Sequence, residues 1–381
     1  MRKYLFAALL LAPALSFAQQ KAAAPAAKTY DLLLGGYTLQ GYDKGISVYR
    51  FDTETGKATL LSQVEGSANP DFLALSSDNK FVYSCNVNPK NGVEAEVSAF
   101  KFNKATGKLT LINKVAGGGI NPVHISIDKD NKNVIVSYYS SGSIAVLPVN
   151  KDGSLGAVKQ NIKYTGGSVH RNQKTPHVHM AIFDDSGKKV LVADLGSDKV
   201  YTYNYDNTKA EPLNPADPAY ELTMPGDGPR HIEFSPDKKF AYIIQELSGY
   251  VRVYKYDNGK LTFIQTIAMM PEDFKVNSAA DVHISPDGNF LYASNRNAAD
   301  NVVQYAINKK DGKLSFVNRY PVSDEPRGFT IDPTGNYLLS AGQEANTIVF
   351  YKIDKATGKL TAMDTKLDVP QVTCFKWVAV D

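Results

Sequence analysis

The chain has 381 residues, 43% of them hydrophobic, with only two cysteines. Its 42 lysines and arginines against 39 acids leave a formal net charge of +3, which gives no electrostatic reason to expect nucleic acid or an anionic membrane as a partner. Such a length suggests two domains, but a motif repeated without interruption argues for one large all-β ring.

Met1 to Ala18 stands apart from that repeat. Arg2 and Lys3 precede an apolar run from Tyr4 to Leu15, and Ser16-Phe17-Ala18 ends on the small residue that a signal peptidase requires. The run is too short for a membrane span, so residues 1–18 read as a cleaved signal peptide and the mature protein as exported, periplasmic or secreted. No cysteine lies near the cleavage point to carry a lipid anchor. Residues 19–28, rich in alanine, read as a disordered lead-in, and residues 29–381 as a single domain.

That domain opens at Tyr30 to Gln63, which looks like a second, third and fourth strand with no first. Full units follow. They open at Pro70 (NPDFLALSSDNKFVYSCNV), Pro122 (NPVHISIDKDNKNVIVSYY), Pro176 (TPHVHMAIFDDSGKKVLVADLG), Gly228 (GPRHIEFSPDKKFAYIIQEL), Asp281 (DVHISPDGNFLYASNR, without proline) and Pro326 (EPRGFTIDPTGNYLLSAGQ). In the clearest unit, apolar and polar residues alternate through His231 to Phe234, Phe240 to Ile244 and Tyr250 to Tyr254, the period of half-buried strands. Ser235-Pro236-Asp237-Lys238 and Leu247-Ser248-Gly249 break these runs, and Asn258-Gly259 leads into a fourth strand over Leu261 to Ile267. Openings about 45 to 54 residues apart point to β-propeller blades. The chain ends on Pro370 to Val380, a first strand with nothing after it. Joined to Tyr30–Gln63 it completes a seventh blade, so the expected fold is a seven-bladed β-propeller closed by pairing of its N- and C-terminal strands, which leaves no exposed edge at the seam.

Cys85 falls in a second strand and Cys374 in the first strand of the neighbouring seventh blade. An exported disulfide and two buried thiols are both open readings. There is no CxxC and no Cys/His set with zinc spacing.

In a blade whose first strand lines the channel, the start of strand one and the end of strand two share a rim. Strand-one starts carry Asn69, Asn121, His124, His177, His179, Arg230, His231, His283 and Arg327, and strand-two ends carry Asn86, Tyr138, Asp194, Glu246, Asn295, Arg296, Gln343 and Glu344. His124, His231 and His283, each followed by isoleucine, read as one repeat position and hence as packing groups hydrogen-bonded between blades. His177, Arg230 and Arg327 each follow a blade-opening proline. His177, Arg230, Glu246 and Arg296 break the repeat with different ionisable groups and are the candidate chemistry. Asp194, in ADLGSD, reads equally as a site residue or a turn acceptor.

The segments TPHVHMAIFDDSGKKVLVADLGSDKV, GPRHIEFSPDKKFAYIIQEL, SPDGNFLYASNR and PRGFTIDPTGNYLLSAGQEANTIVFYKID closely resemble the seven-bladed lactonase family, which includes the propeller type of 6-phosphogluconolactonase and the fungal-type carboxy-muconate lactonizing enzyme. The resemblance covers essentially the whole mature chain. It implies a cofactor-free propeller acting on lactones of small acidic molecules, with a site drawn from His177 or His179, Arg230, Glu246 and Arg296. Val178, Met180 and Gln245 depart from the family's usual residues around the histidines and before the glutamate, so the acting histidine and the substrate stay open.

That constellation suits the implied chemistry. Guanidinium groups hold a carboxylate or phosphate bidentately and stabilise charge developing on a lactone oxygen. Glu246 or His177 can activate water and return its proton to the leaving alkoxide. His179, His124, Arg327 and Asp194 are candidate substrate contacts. No metal is expected, because Asp194 with Glu344 has no supporting ligand spacing. The phosphorylated sugar lactone is cytoplasmic, so the leader argues for a different acid. The expectation is an exported, monomeric lactonase for a small sugar-acid type lactone. A lactonizing cycloisomerase of the muconate type and a non-catalytic ligand-binding propeller are the alternatives.

Overall fold

The computed structural model describes residues 28–38, 43–274 and 277–380. The expected signal peptide, and all of the lead-in except Lys28, lie outside the described residues. Among those described, the strands form seven four-stranded antiparallel sheets, each running from the channel outwards in sequence order except at the seam.

The blade at Gly228 shows why the repeat folds as it does. Its strands are Pro229–Phe234, Phe240–Gln245, Tyr250–Asp257 and Lys260–Ala268. Between the first two, Ser235 Oγ donates to Asp237 Oδ1 at 2.7 Å and accepts from the Phe240 amide at 3.0 Å. Those bonds let serine and aspartate replace the ladder partners that a tight turn removes. Ser76 with Asp78 and Ser285 with Asp287 repeat the device. Asn258 and Gly259 both take positive φ, 47° and 93°, as an Asn-Gly hairpin requires.

Neighbouring blades bury apolar faces against each other. Tyr242, Ile244, Val251 and Val253 pack on Val282, Leu291, Ala293 and Val303 of the next blade. A tyrosine in the second strand latches several such joints. Tyr83, Tyr242 and Tyr292 donate to the carbonyls of Gly153, Gly312 and Gly358 at 3.1, 3.0 and 2.6 Å. Gly312 sits at φ +76°, and a Cβ there would lie 2.4 Å from Phe240 Cδ1, so the joint admits no side chain at that position.

The seam closes as the sequence predicts. Val372–Ala379 pairs antiparallel with Thr29–Gly36, matching Leu34 to Phe375 and Leu32 to Trp377, and Lys44–Asp52 and Ala58–Glu65 complete that blade. Phe51 and Trp377 meet edge-on across it, with ring centroids 5.1 Å apart. The two cysteines are unpaired thiols. Cys374 Sγ accepts from the Leu73 amide at 3.4 Å, and burial pushes its pKa up to about 11 and that of Cys85 well above the usual thiol range.

Candidate functional site

The inner strands share an irregularity that builds the site. Pairing with the neighbouring strand slips by one residue between Pro70 and Phe72, Pro122 and His124, Val178 and Met180, Pro229 and Ile232, Ala279 and Val282, and opposite Gly35 and Gly36 at the seam. Each slip is a β-bulge, which leaves an extra residue unpaired and re-aims its side chain. By register, Asp71, His179, Arg230, Arg327 and Thr373 occupy equivalent positions around the ring.

Glu246 and Arg296 come to the same rim from the residue just past their second strands. Their backbone amides bond Gly228 O at 2.8 Å and Ser278 O at 3.1 Å, ahead of the inner strand of each blade. Arg230 Nε donates to Glu246 Oε2 at 3.0 Å, and Arg296 Nη2 reaches the same oxygen at 3.4 Å. Arg296 Nη1 lies 3.5 Å from Glu325 Oε1, and Arg327 Nη2 lies 3.4 Å from Asp71 Oδ2. Three guanidinium groups and three carboxylates therefore converge at one end of the channel. Glu246 Oε1 and Arg230 Nη2 are left without a protein partner among the described residues.

The electrostatics follow from burial and crowding. Arg230 is 1% exposed; desolvation, then the charges of Arg296 and Arg327, bring its pKa down to about 9, so it still carries its charge at neutral pH. Burial alone would raise the Glu246 carboxyl, but Arg296, Arg230 and Arg327 outweigh it and hold the group below its ordinary 4.5. Burial likewise works against the Arg327 charge, yet Asp71 opposite pushes its pKa further up. His179 is 3% exposed. Desolvation, followed by the charge of Arg230, sets its pKa well below 6.5, so the imidazole is neutral. Its Nδ1 is buried without a hydrogen-bond partner.

His177 sits differently from His179. Although it follows Pro176, its strand starts at Val178, and by register His179, not His177, matches Arg230 and Arg327. His177 stacks on Tyr139 with ring centroids 4.3 Å apart, and its Nδ1 donates to Tyr139 O at 2.9 Å. Asp194 is fully buried as a turn acceptor for the amides of His177 and Gly196, at 2.7 and 3.0 Å, and for the Ser197 hydroxyl. Asn69, at φ 44°, likewise serves the backbone, accepting from the Thr38 amide at 2.8 Å. His124 lies one step deeper in the channel, its ring 4.4 Å from that of Phe72, with Nδ1 unpartnered. The repeat position assigned to three histidines holds only two. His124 and His231 share it, Asp281 fills it in the next blade, and His283 lies two residues further along its strand.

The family described as Lactonase, 7-bladed beta-propeller, matches residues 31–377. The chain belongs to this family. It is 38% identical over 343 residues to a 6-phosphogluconolactonase of Formosa agariphila, covering 89% of this chain and 96% of that relative. A Bacillus subtilis 6-phosphogluconolactonase is 34% identical over 350 residues, covering 91% of this chain and 97% of its own length. The structure of a periplasmic gluconolactonase from Pseudomonas aeruginosa superposes with a TM-score of 0.88 at 35% identity, covering 93% of this chain and 100% of that one. Among the described residues of this lactonase-family propeller, no helix is long and apolar enough to cross a membrane.

Four residues at the rim escape a reading by residue type. Asp71 follows Pro70 just as Arg230 follows Pro229, so the repeat did carry that signal. Tyr139 holds the repeat position of Glu246 and Arg296, whereas Tyr138, one residue earlier, turns inward to bond Gly117 O. Burial, then the nearby Glu246 charge, raises the Tyr139 phenol to about 12. Tyr37 beside Asp71 sits just past the second strand of the seam blade, the repeat position of Glu246, Arg296 and Tyr139, and Glu325 beside Arg296 precedes Pro326 as Asn69 precedes Pro70, so the repeat carried both signals as well.

Proposed function

We propose that this chain is an exported lactonase that hydrolyses a small acidic lactone of the sugar-acid type. The observation that carries this reading is the convergence of Arg230 and Arg296 on a shared carboxylate, Glu246, with Arg327 paired to Asp71 in the same ring, beside the neutral imidazole of His179 with its unpartnered Nδ1. The names of the Formosa, Bacillus and Pseudomonas relatives point the same way. Export rests on the leader at Met1–Ala18 and on the periplasmic description of the Pseudomonas relative; residues 29–381 act as the single mature domain.

In this reading the free Nη2 of Arg230 and the Arg296 guanidinium hold the substrate's acidic group and the carbonyl oxygen, where negative charge develops during attack. His179 takes a proton from water as the water oxygen bonds to the lactone carbonyl carbon. The ring C–O bond then breaks, and the same proton passes to the leaving alkoxide, giving the open hydroxy acid. Glu246 orients the guanidiniums rather than acting as the base, because its Oε2 is already engaged by Arg230 and Arg296, whereas His179 Nδ1 has no hydrogen-bond partner. His177 supports the wall through Tyr139, while Arg327 with Asp71 completes the charged ring. The test is turnover of a panel of γ- and δ-lactones, acidic and neutral, followed by acid release and corrected for spontaneous hydrolysis. Catalysed opening of acidic members is expected. No turnover of any member, with ligand binding retained, would leave a binding propeller instead.

A further inference from the structure

A chain of contacts runs inward from the rim. Arg230 Nη1 lies 2.5 Å from Ala280 O and 3.2 Å from His231 Nε2. A guanidinium only donates, so His231 Nε2 must accept, and the imidazole proton therefore sits on Nδ1. That nitrogen is 2.8 Å from Asp281 Oδ1, which accepts it. Asp281 Oδ2 is 3.2 Å from His283 Nε2, and His283 Nδ1 is 3.8 Å from Glu233 Oε2. The Val282 and Phe329 amides also donate to Asp281, at 3.0 and 3.4 Å. The outer pair, His283 and Glu233, lines a cavity of about 380 Å³ in the channel beyond the bulge residues.

We propose that His231 and Asp281 are a positioning pair that fixes the Arg230 guanidinium, a role that rests on the lactonase reading of the rim. Both Nη1 hydrogens are spent, on Ala280 and His231, and Nε–H on Glu246, so the group cannot rotate and its free Nη2 edge faces one way. The charge states agree with that tautomer. Desolvation, then the Arg230 charge, brings His231 down to about 4, so it is neutral, and although burial opposes it, His283 and His231 keep Asp281 ionised. The chain orients rather than conducts, because the arginine at its rim end keeps its proton at neutral pH. A histidine that merely joined blades would be indifferent to which ring nitrogen carries hydrogen. This one is not.

The test combines tautomer, exchange and kinetics. Long-range ¹⁵N NMR of histidine-labelled protein should find His231 as the Nδ1–H tautomer at neutral pH. In Asp281→Asn the NH₂ must face either His231 and the Val282 amide or His283 and the Phe329 amide, and the first orientation, read out as a His231 tautomer turned to Nε2–H, sets that hydrogen against Arg230. The kcat for an acidic lactone should then fall by at least about tenfold, with KM changed much less. His231→Gln keeps a donor and an acceptor and should retain most of the rate, whereas His231→Leu should lose it and speed solvent exchange of the Arg230 Nε–H. An Nε2–H tautomer in the wild type, or equal exchange in the Gln and Leu variants, overturns the proposal even if no lactone is turned over. A flipped tautomer with an unchanged kcat overturns it as well. Absence of wild-type turnover alone counts against the lactonase reading, with the exchange comparison still deciding the positioning role.

Discussion

Replacing Glu246 and His179 separately by glutamine assigns the proton-transfer step. Glu246 Oε2 accepts from Arg230 at 3.0 Å and lies 3.4 Å from Arg296 Nη2 as an ion pair. Glutamine keeps an acceptor but removes its charge, so the charge-assisted bond from Arg230, roughly 1.5 to 3 kcal/mol, weakens and the ion pair with Arg296 is lost. The loss is about 1 to 3 kcal/mol in how firmly the guanidiniums are held, and it should appear mainly as a rise in KM for acidic lactones of about five- to over a hundredfold. His179→Gln removes a neutral base whose Nδ1 bonds nothing else. It should lower kcat by about 10² to 10⁴ with little change in KM. Initial rates of acid release on an acidic lactone, corrected for spontaneous opening, separate the two outcomes. A Glu246→Gln enzyme with kcat down by that factor and KM unchanged, beside a His179→Gln enzyme of normal rate, would refute the assignment and make Glu246 the base.

Arg296→Ala should weaken binding of acidic lactones by about 1.5 to 3 kcal/mol, roughly ten- to over a hundredfold in KM, and of neutral lactones less; equal losses for both would remove its role as an anion clamp. The working forms are neutral His179 and ionised Glu246, with pKa values held below 6.5 and 4.5 respectively. Both forms are present above those pKa values and are lost only as pH falls through them, so kcat/KM should stay flat down past pH 6.5, and an acid limb centred at or above that pH contradicts the geometry. Deleting Val372–Asp381 removes the inner strand of the seam blade and should abolish the cooperative thermal transition; a truncated protein with an unchanged Tm would refute the closure. Neither thiol should react with a disulfide reagent in the folded protein, and a reductant should leave Tm unaltered.

The blade count was legible because its signals are local. Ser-x-Asp turns, Asn-Gly hairpins and two-residue alternation each act within a few positions, and the orphan strands at the two chain ends could only complete one another. The rim was legible as a place and less so as a set of residues. A β-bulge depends on the partner strand, so the sequence alone does not say where the extra residue falls. Counting from proline therefore put His177 beside Arg230, while the register puts His179 there. Matching His-Ile pairs put His283 beside His231, yet the blade without a proline starts at Ala279, and Asp281 takes that place. The same ambiguity left Asp194 between two roles that only its three backbone and hydroxyl donors distinguish.

The charges at the rim answer two opposed requirements. A guanidinium buried without a partner costs several kcal/mol, so three of them could not sit in a folded channel unless carboxylates accompanied them. A ring neutralised at every contact would, however, have nothing left to offer an acidic substrate. The geometry meets both demands unequally. Glu246 uses one oxygen for two guanidiniums, Asp71 takes one nitrogen of Arg327, and Glu325 touches Arg296 only at 3.5 Å. Each cation is compensated enough to be buried, and each keeps donors that the carboxylates do not occupy. An incoming carboxylate or phosphate therefore enters an already charged network and completes hydrogen bonds left open. On the proposed reading, selectivity for acids comes from the direction of those open donors more than from net charge, and the constraint on Arg230 from His231 and Asp281 then bears on catalysis as well as on packing.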